Sequence, residues 1–112
     1  MTITVLDVES IDSEQEGAAS VQRFLNADTV GARLVEGLAY TLPPGGQLGP
    51  KRETDRHQLF YVTSGRVTAL FQGERHELTP GRGVYCEPGE TCELENAADT
   101  PATFYRFLVE PS

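Results

Sequence analysis

Residues 58–78, QLFYVTSGRVTALFQGERHEL, contain three short segments with strand character, separated by Ser64-Gly65 and by Gln72-Gly73. Glycine tolerates a positive φ, so both dipeptides suit tight turns between strands. Because successive side chains of a strand point to opposite faces, Gln58 and Phe60 share one face of the first segment. The stretch therefore predicts consecutive antiparallel strands, with a polar amide on a face of core-type residues.

The same alternation of short strands and turns continues along most of the chain. The strand candidates are residues 22–25, 32–42, 58–63, 66–72, 75–78, 84–86, 91–95 and 103–110. Residues 1–20 predict an amino-terminal edge strand, Thr2 to Leu6, followed by an acidic loop. Only closure or a second sheet can bury one face of so many short strands. The pattern thus predicts one all-β domain over residues 1–112, a sandwich or a barrel.

The composition of the chain indicates which kinds of binding partner are disfavoured. The chain has 112 residues, 38% hydrophobic residues and a net charge of −8. That acidity disfavours phosphate backbones and anionic lipids, so neither a nucleic-acid nor a membrane partner is expected. No apolar run approaches the ~20 residues that cross a bilayer. Residues 1–9 contain acidic residues where a signal peptide is positively charged, which predicts a cytoplasmic protein. The two cysteines, Cys86 and Cys92, are too few and too close for a secreted disulfide framework, so we expect thiols.

Residues 44–96 resemble the two-part motif of the cupin family. The matching positions are Gly46, Arg52-x-Thr54, Gln58 and Gly65 in the first part, and Gly81, Glu87-x-Gly89, Cys92 and Asn96 in the second. Every family interval is kept, although the proline of the second part is displaced by one position to Pro88. The resemblance implies a single-domain antiparallel jelly-roll β-barrel with a ligand pocket in its mouth.

The family's metal ligands are replaced throughout. Where the family has three histidines and a glutamate, this sequence has Arg52, Thr54, Gln58 and Cys92. A transition metal generally needs at least three imidazole, carboxylate or thiolate donors from the protein, and only the cysteine qualifies. The permanent positive charge of Arg52 would also repel a cation. We therefore expect no metal and no cofactor at this position.

The motif mapping brings these same four residues together inside the barrel. Arg52 would bind a carboxylate or stabilise an enolate, and Cys92 would act as nucleophile or proton carrier beside it. Thr54 and Gln58 would hydrogen-bond the substrate. The sequence leaves open that Cys92 is an inert buried thiol, the more common role of cysteine.

Further residues are candidates for lining the pocket. Phe60 shares the face of Gln58, and Tyr40 lies on another predicted strand. Arg106 would be a second anion-binding donor if its strand face is internal, which parity alone does not decide. His76 would point inward at the far end of the barrel, although a structural role is the more common one for a histidine with no carboxylate or thiol motif nearby.

These features predict a metal-independent enzyme acting on a small organic substrate, of cyclase, isomerase or dehydratase type, in natural-product or carbohydrate metabolism. The first alternative is a barrel that binds a small molecule without transforming it. The second is a metal-dependent oxygenase or lyase whose atypical ligands include Cys92 and His76. The cupin resemblance also implies a homodimer that pairs through outer sheets. The sequence does not identify the substrate.

Overall fold

The computed structural model describes residues 7–26 and 35–110. A short 3-10 helix, Val8–Ser10, precedes ten strands. The strands are β1 (Ser13–Glu16), β2 (Ala19–Leu25), β3 (Val35–Leu42), β4 (Gln47–Arg52), β5 (His57–Ser64), β6 (Val67–Phe71), β7 (Glu74–Leu78), β8 (Gly83–Cys86), β9 (Thr91–Glu95) and β10 (Ala102–Val109). The expected edge strand at Thr2 to Leu6 lies outside the described residues, as do positions 32–34 of the expected third strand.

The strands form two antiparallel sheets that face each other. The six-stranded sheet has the order β1-β2-β3-β10-β5-β8, and the four-stranded sheet has the order β4-β9-β6-β7. Because alternate side chains from both sheets point between them, the hydrophobic core fills the space enclosed by the sheets. The all-β antiparallel architecture predicted from the sequence is therefore confirmed, and it is a jelly-roll barrel.

Strand β10 lies near the middle of the larger sheet and organises the interior. It pairs with β3 on one side and with β5 on the other. The rings of Tyr40 and Phe104 are stacked with their centres 5.1 Å apart, and the ring centre of Phe60 lies 6.3 Å from that of Phe104. The predicted inward face of β5 is correct, since Gln58, Phe60 and Val62 are all buried.

Two strands of the fold were not predicted. The segment expected to be an acidic loop contains β1, whose side chains are mostly exposed. This strand pairs with β2 through its backbone at the sheet edge, so it needs no apolar alternation. Strand β4 includes Gly49 and Pro50, residues that disfavour a central strand but are tolerated at an edge.

Candidate functional site

A buried cation lies inside the barrel. Arg106 is only 6% exposed, and its strand β10 directs it to the inner face, between Phe60 and Leu38 of the neighbouring strands. The guanidinium carbon lies 5.6 Å from the centre of the Phe60 ring, within the range of a cation–π contact. The sequence left open whether the Arg106 side chain faces the interior or the solvent, and the structure shows that it faces the interior.

The guanidinium is held by Gln58, the residue at the family's glutamate position. Arg106 donates to Gln58 Oε1 from Nε at 3.0 Å and from Nη2 at 2.7 Å. Gln58 Nε2 in turn donates to the backbone oxygen of Lys51 at 3.3 Å. A neutral amide thus orients a permanent charge at a position where relatives place a metal-binding carboxylate.

The other contacts of the guanidinium are longer and lead toward solvent. Nη1 donates to the Tyr40 hydroxyl at 3.4 Å, and Nη2 lies 3.6 Å from Glu53 Oε2. Glu53 also binds Arg56 at 2.7 Å, so its carboxylate has a closer partner than Arg106. Within the described chain every buried side-chain nitrogen and oxygen has a hydrogen-bond partner.

A chain of hydrogen bonds connects Arg106 to the gap between β1 and β4. The Tyr40 hydroxyl donates to Glu16 Oε2 at 3.0 Å, and Lys51 Nζ lies 2.7 Å from the same oxygen. Burial raises the pKa of Tyr40 to about 12, which outweighs the lowering by Arg106. Tyr40 therefore keeps its proton at neutral pH and serves as a hydrogen-bond donor.

Glu16 is the ionised end of this chain. Desolvation raises the pKa of Glu16, but the hydrogen bonds from Lys51 and Tyr40 and the charges of Lys51 and Arg106 together leave it below its usual value. Neither Glu16 nor Lys51 was identified from the sequence. Both lie on edge strands that alternation did not reveal.

The acid sensitivity of folding provides a test of this ion pair. Because the pKa of Glu16 is lowered by folding, its stabilising contribution is present above the unfolded pKa and is lost as pH falls through the folded value. We expect Glu16→Gln to destabilise the protein at pH 7, and to lose less additional stability than wild type when pH is lowered to about 3. Urea unfolding at both pH values measures this. Glu14→Gln, an exposed carboxylate on the same strand, is the matched control; identical pH dependence in both variants would contradict the assignment.

Two residues expected in the pocket lie outside it. Arg52 is exposed, and its Nε donates to the Gly89 backbone oxygen at 3.0 Å. The pairing of β4 with β9 shifts register between Leu48 and Lys51. Opposite residues of an antiparallel pair share a face. The shift places Lys51 opposite buried Cys92 and Arg52 opposite exposed Thr91.

Thr54 is also exposed, and its hydroxyl donates to the Asp55 carboxylate in the connection after β4. The expected convergence of four side chains is therefore wrong for Arg52 and Thr54. Gln58 and Cys92 are buried in the interior, and Arg106 supplies the cation that Arg52 was expected to supply.

The remaining candidates are divided between the interior and a surface groove. Tyr40 and Phe60 are buried beside Arg106. His76 has a side chain that is 45% exposed, and lies in a groove of about 750 Å³ between the edge strands β7 and β8. His76 pairs with Ala69 of β6, so the two side chains lie on the same face of the sheet. Ala69 is buried there, whereas His76, on the edge strand, is exposed to solvent.

The side chains at the family's ligand positions do not fit a metal ion. Arg52 and Thr54 are exposed, Gln58 accepts from Arg106, and the Cys92 thiol donates to the Glu93 backbone oxygen at 3.7 Å. Among residues 7–26 and 35–110, no group of three His, Cys, Asp or Glu side chains is placed to hold a metal. A guanidinium next to this position would further disfavour a cation.

Two facing antiparallel sheets that enclose a polar cluster define the jelly-roll class of β-barrel. The model of the cupin domain matches residues 38–109, and the chain belongs to this family. No curated protein matches the sequence. The described part of the chain contains no helix of the length and apolarity that a membrane span requires.

Solved structures share the fold at low sequence identity. A predicted oxalate decarboxylase from Thermotoga maritima matches with a TM-score of 0.86 and 18% identity, covering 96% of this chain and 100% of that one. A cupin-superfamily sugar phosphate isomerase from Silicibacter pomeroyi gives 0.81 and 21%, covering 96% and 76%. The cupin domain of an XRE-family transcriptional regulator from Enterobacter cloacae gives 0.73 and 21%, covering 85% and 99%. These similarities show the fold alone.

Proposed function

We propose that this cupin binds a small organic anion with the buried guanidinium of Arg106 and acts on it without a metal. The observation that carries the proposal is the Arg106–Gln58 pair inside the barrel. A guanidinium presents a planar set of donors that suits a carboxylate or an enolate. In this proposal a fixed organic cation takes the electrostatic role that a metal has elsewhere.

The ligand anion would bind where the guanidinium contact is weakest. Glu53 lies 3.6 Å from Arg106 and has an alternative partner in Arg56, so a ligand carboxylate can replace it at Nη2. Glu53 is partly exposed, with 24% of its side chain accessible, which gives a route from solvent to the guanidinium. Phe60 would pack against an apolar part of the ligand.

The proposed chemistry is of cyclase, isomerase or dehydratase type. Arg106 would stabilise negative charge that develops on an enolate oxygen, and the Tyr40 hydroxyl, which donates to Glu16 in the structure, would turn to donate to this oxygen. The structural relatives include a protein named as a sugar phosphate isomerase, which is compatible with this class. Cys92 is not assigned a proton-transfer role, because the neighbouring Cys86 thiol and burial raise the pKa of the Cys92 thiol.

A second candidate is binding without chemistry. The observation that favours it is the engagement of the interior groups: Arg106, Tyr40 and Cys92 all have protein partners. The structural match to the cupin domain of a transcriptional regulator is compatible with this alternative. Detection of turnover of a bound ligand would separate the two candidates.

Carboxylate binding provides the test of the proposed site. We expect benzoate to raise the melting temperature of the wild type more than its neutral analogue benzamide does, because only benzoate offers a negative charge and two acceptor oxygens to the guanidinium. Glu53→Gln should increase the benzoate shift, since it removes a competing carboxylate. Arg106→Lys keeps the charge and loses the planar fork, so the shift should fall.

Differential scanning fluorimetry of the three proteins measures these shifts. Glu87→Gln, which changes an exposed carboxylate on the surface, is the control for a general charge effect. Equal shifts with benzoate and benzamide in every variant would contradict an anion site at Arg106.

We also propose a homodimer formed by the outer face of the six-stranded sheet. Leu59 lies between Tyr85 of β8 and Phe107 of β10 in the strand register. Leu59 is 38% exposed and Tyr85 is 51% exposed, so this row presents apolar surface. A two-fold axis would place the same row of each copy against the other, burying both.

Light scattering after size-exclusion chromatography tests the homodimer. We expect Leu59→Glu to convert a dimer to monomer, because it places a charge within the apolar row. Thr91→Glu, an exposed change on the other sheet, should leave the mass unchanged. A monomeric wild type at all concentrations would exclude this assembly.

A further inference from the structure

The groove that contains His76 lies where the edges of the two sheets face each other without pairing. β7 is the edge of the four-stranded sheet and β8 is the edge of the six-stranded sheet, and in the described part of the chain each pairs with a single strand. The volume of the groove, about 750 Å³, lies in the range of ~300–1,000 Å³ that small organic ligands occupy. Neither Arg106 nor Gln58 lines it, so the groove is separate from the interior site.

The bottom of this groove is the rim of the hydrophobic core. Leu78, which ends β7, is buried, whereas Phe71 of β6 and Val84 of β8 are only partly buried and pack against the core. The other four residues of β7 are exposed, so nothing in the described chain covers these apolar side chains from that strand. An apolar group in the groove would therefore remove the accessible surface of Phe71 and Val84 from water, which favours binding.

Arg82 supplies an uncompensated positive charge to the groove. Among the Lys and Arg side chains that the structure describes, that of Arg82 alone has neither a hydrogen bond nor an ion pair. The other charged side chains of the lining have polar partners: Arg75 pairs with Glu95, Glu77 with Arg66, and His76 with Glu74. The guanidinium of Arg82 is therefore available to a ligand.

The backbone holds Arg82 in a fixed position. Arg82 N donates to the Thr79 backbone oxygen at 3.0 Å, and Val62 N donates to the Arg82 backbone oxygen at 2.9 Å. A Cβ atom on the following Gly83 would lie 2.3 Å from the Phe60 backbone oxygen, so the chain lies tightly against β5 at this point. A fixed backbone lowers the entropy lost when the side chain binds a ligand.

The two ends of the groove differ in charge. The corner at residues 79–82 joins the end of β7 to the start of β8, so Arg82 lies at the same end as Leu78. Glu74 begins β7 and lies opposite Phe71, at the other end of the groove. At roughly 3.3 Å per strand residue, Glu74 is about 13 Å along β7 from Leu78. The end at Arg82 therefore favours an anion, whereas the end at Glu74 disfavours one.

We propose that this groove is a second ligand site, which binds an aromatic monoanion with its charged group at Arg82 and its rings over Val84 and Phe71. A carboxylate or sulfonate group presents several acceptor oxygens to the planar guanidinium. One uncompensated cation matches one negative charge, and a second charge on the ligand would approach the carboxylate of Glu74. The site lies on the outside of the barrel, so its occupation does not depend on the interior Arg106.

Fluorescence titration with a matched pair of probes tests the proposal. Anilinonaphthalenesulfonate carries one negative charge on an aromatic body, phenylnaphthylamine is the same body without the sulfonate, and both fluoresce strongly in apolar surroundings. We expect the wild type to bind the sulfonate, and Arg82→Gln to weaken this binding by roughly fivefold, because an exposed ion pair contributes modestly. The same variant should leave the affinity for the neutral probe within about twofold of wild type. Val84→Asn should weaken the binding of both probes, since it places an amide in the apolar floor.

Two further arginine variants control the titration. Arg23→Gln removes a cation from β2, on the far side of the six-stranded sheet from β8, and should leave both affinities unchanged. Arg82→Lys keeps the charge and should bind the sulfonate more tightly than Arg82→Gln does, while losing the planar fork. Equal sulfonate affinity in the wild type and Arg82→Gln would overturn the proposal, as would an equal loss of the neutral probe, which would show a structural role for Arg82. A wild type that binds neither probe would overturn it as well.

Discussion

Replacing Arg106 by methionine is expected to destabilise the fold by about 3 kcal/mol, which urea unfolding would show as a lower midpoint. The substitution removes both hydrogen bonds to Gln58 and leaves its buried Oε1 without them. It also removes the cation from the face of Phe60. The cost arises mainly from the polar groups left behind, since methionine fills much of the volume of arginine.

A double substitution separates this cause from a general packing defect. When both partners of a buried polar pair become apolar, no unpaired group remains. Arg106→Met combined with Gln58→Met should therefore be less destabilised than the sum of the two single variants, by more than 1 kcal/mol. Additive costs would show that Gln58 and Arg106 do not interact in the folded protein.

Asn96→Ala is expected to cost about 3 kcal/mol, because Asn96 joins two connections at one end of the barrel. Its Nδ2 donates to the backbone oxygen of Leu42 at 3.0 Å and to that of Thr100 at 2.8 Å. Its Oδ1 accepts from Ala98 N at 3.0 Å. An alanine would leave the buried Leu42 oxygen and two part-buried backbone groups without these partners.

Aspartate at the same position should be at least as damaging. It is close in shape to asparagine, but its carboxylate cannot donate to the two carbonyl oxygens and would repel them. Asp99→Ala, in the exposed part of the same connection, should change the free energy of unfolding by less than 0.5 kcal/mol. Similar unfolding midpoints for Asn96→Ala and Asp99→Ala would refute the role of Asn96.

The parts of the fold that could be predicted are those with regular alternation. On β5 the buried side chains are Gln58, Phe60 and Val62, which alternate with more exposed ones, so counting in twos from Phe60 identifies the inward side chains correctly. The same count gives the shared face of Arg106, Phe104 and Leu108 on β10. The cupin spacing predicted the barrel correctly, because the motif glycines lie in the turns that connect its strands. Gly65, for example, has a φ of +78° and lies against Pro101 and Ala102.

The errors fall where the backbone departs from regular pairing. Motif spacing placed Arg52 in the pocket because it assumed an unbroken β4, but the irregularity at Gly49-Pro50 reverses its inward and outward faces. Lys51 is directed inward instead and pairs with Glu16. A register shift depends on how two distant strands pair, so it has no local signature that alternation could detect.

The amino-acid sequence by itself determined the all-β class, the cupin membership and the inward face of β5, because alternation and turn residues act over a few neighbouring positions. Tertiary structure alone decided that Arg106 points inward and that Arg52 does not. It also connected Tyr40 to Glu16 through a hydrogen bond. These pairings join residues far apart along the chain or on different sheets, and only closure of the barrel sets which side of each strand is buried.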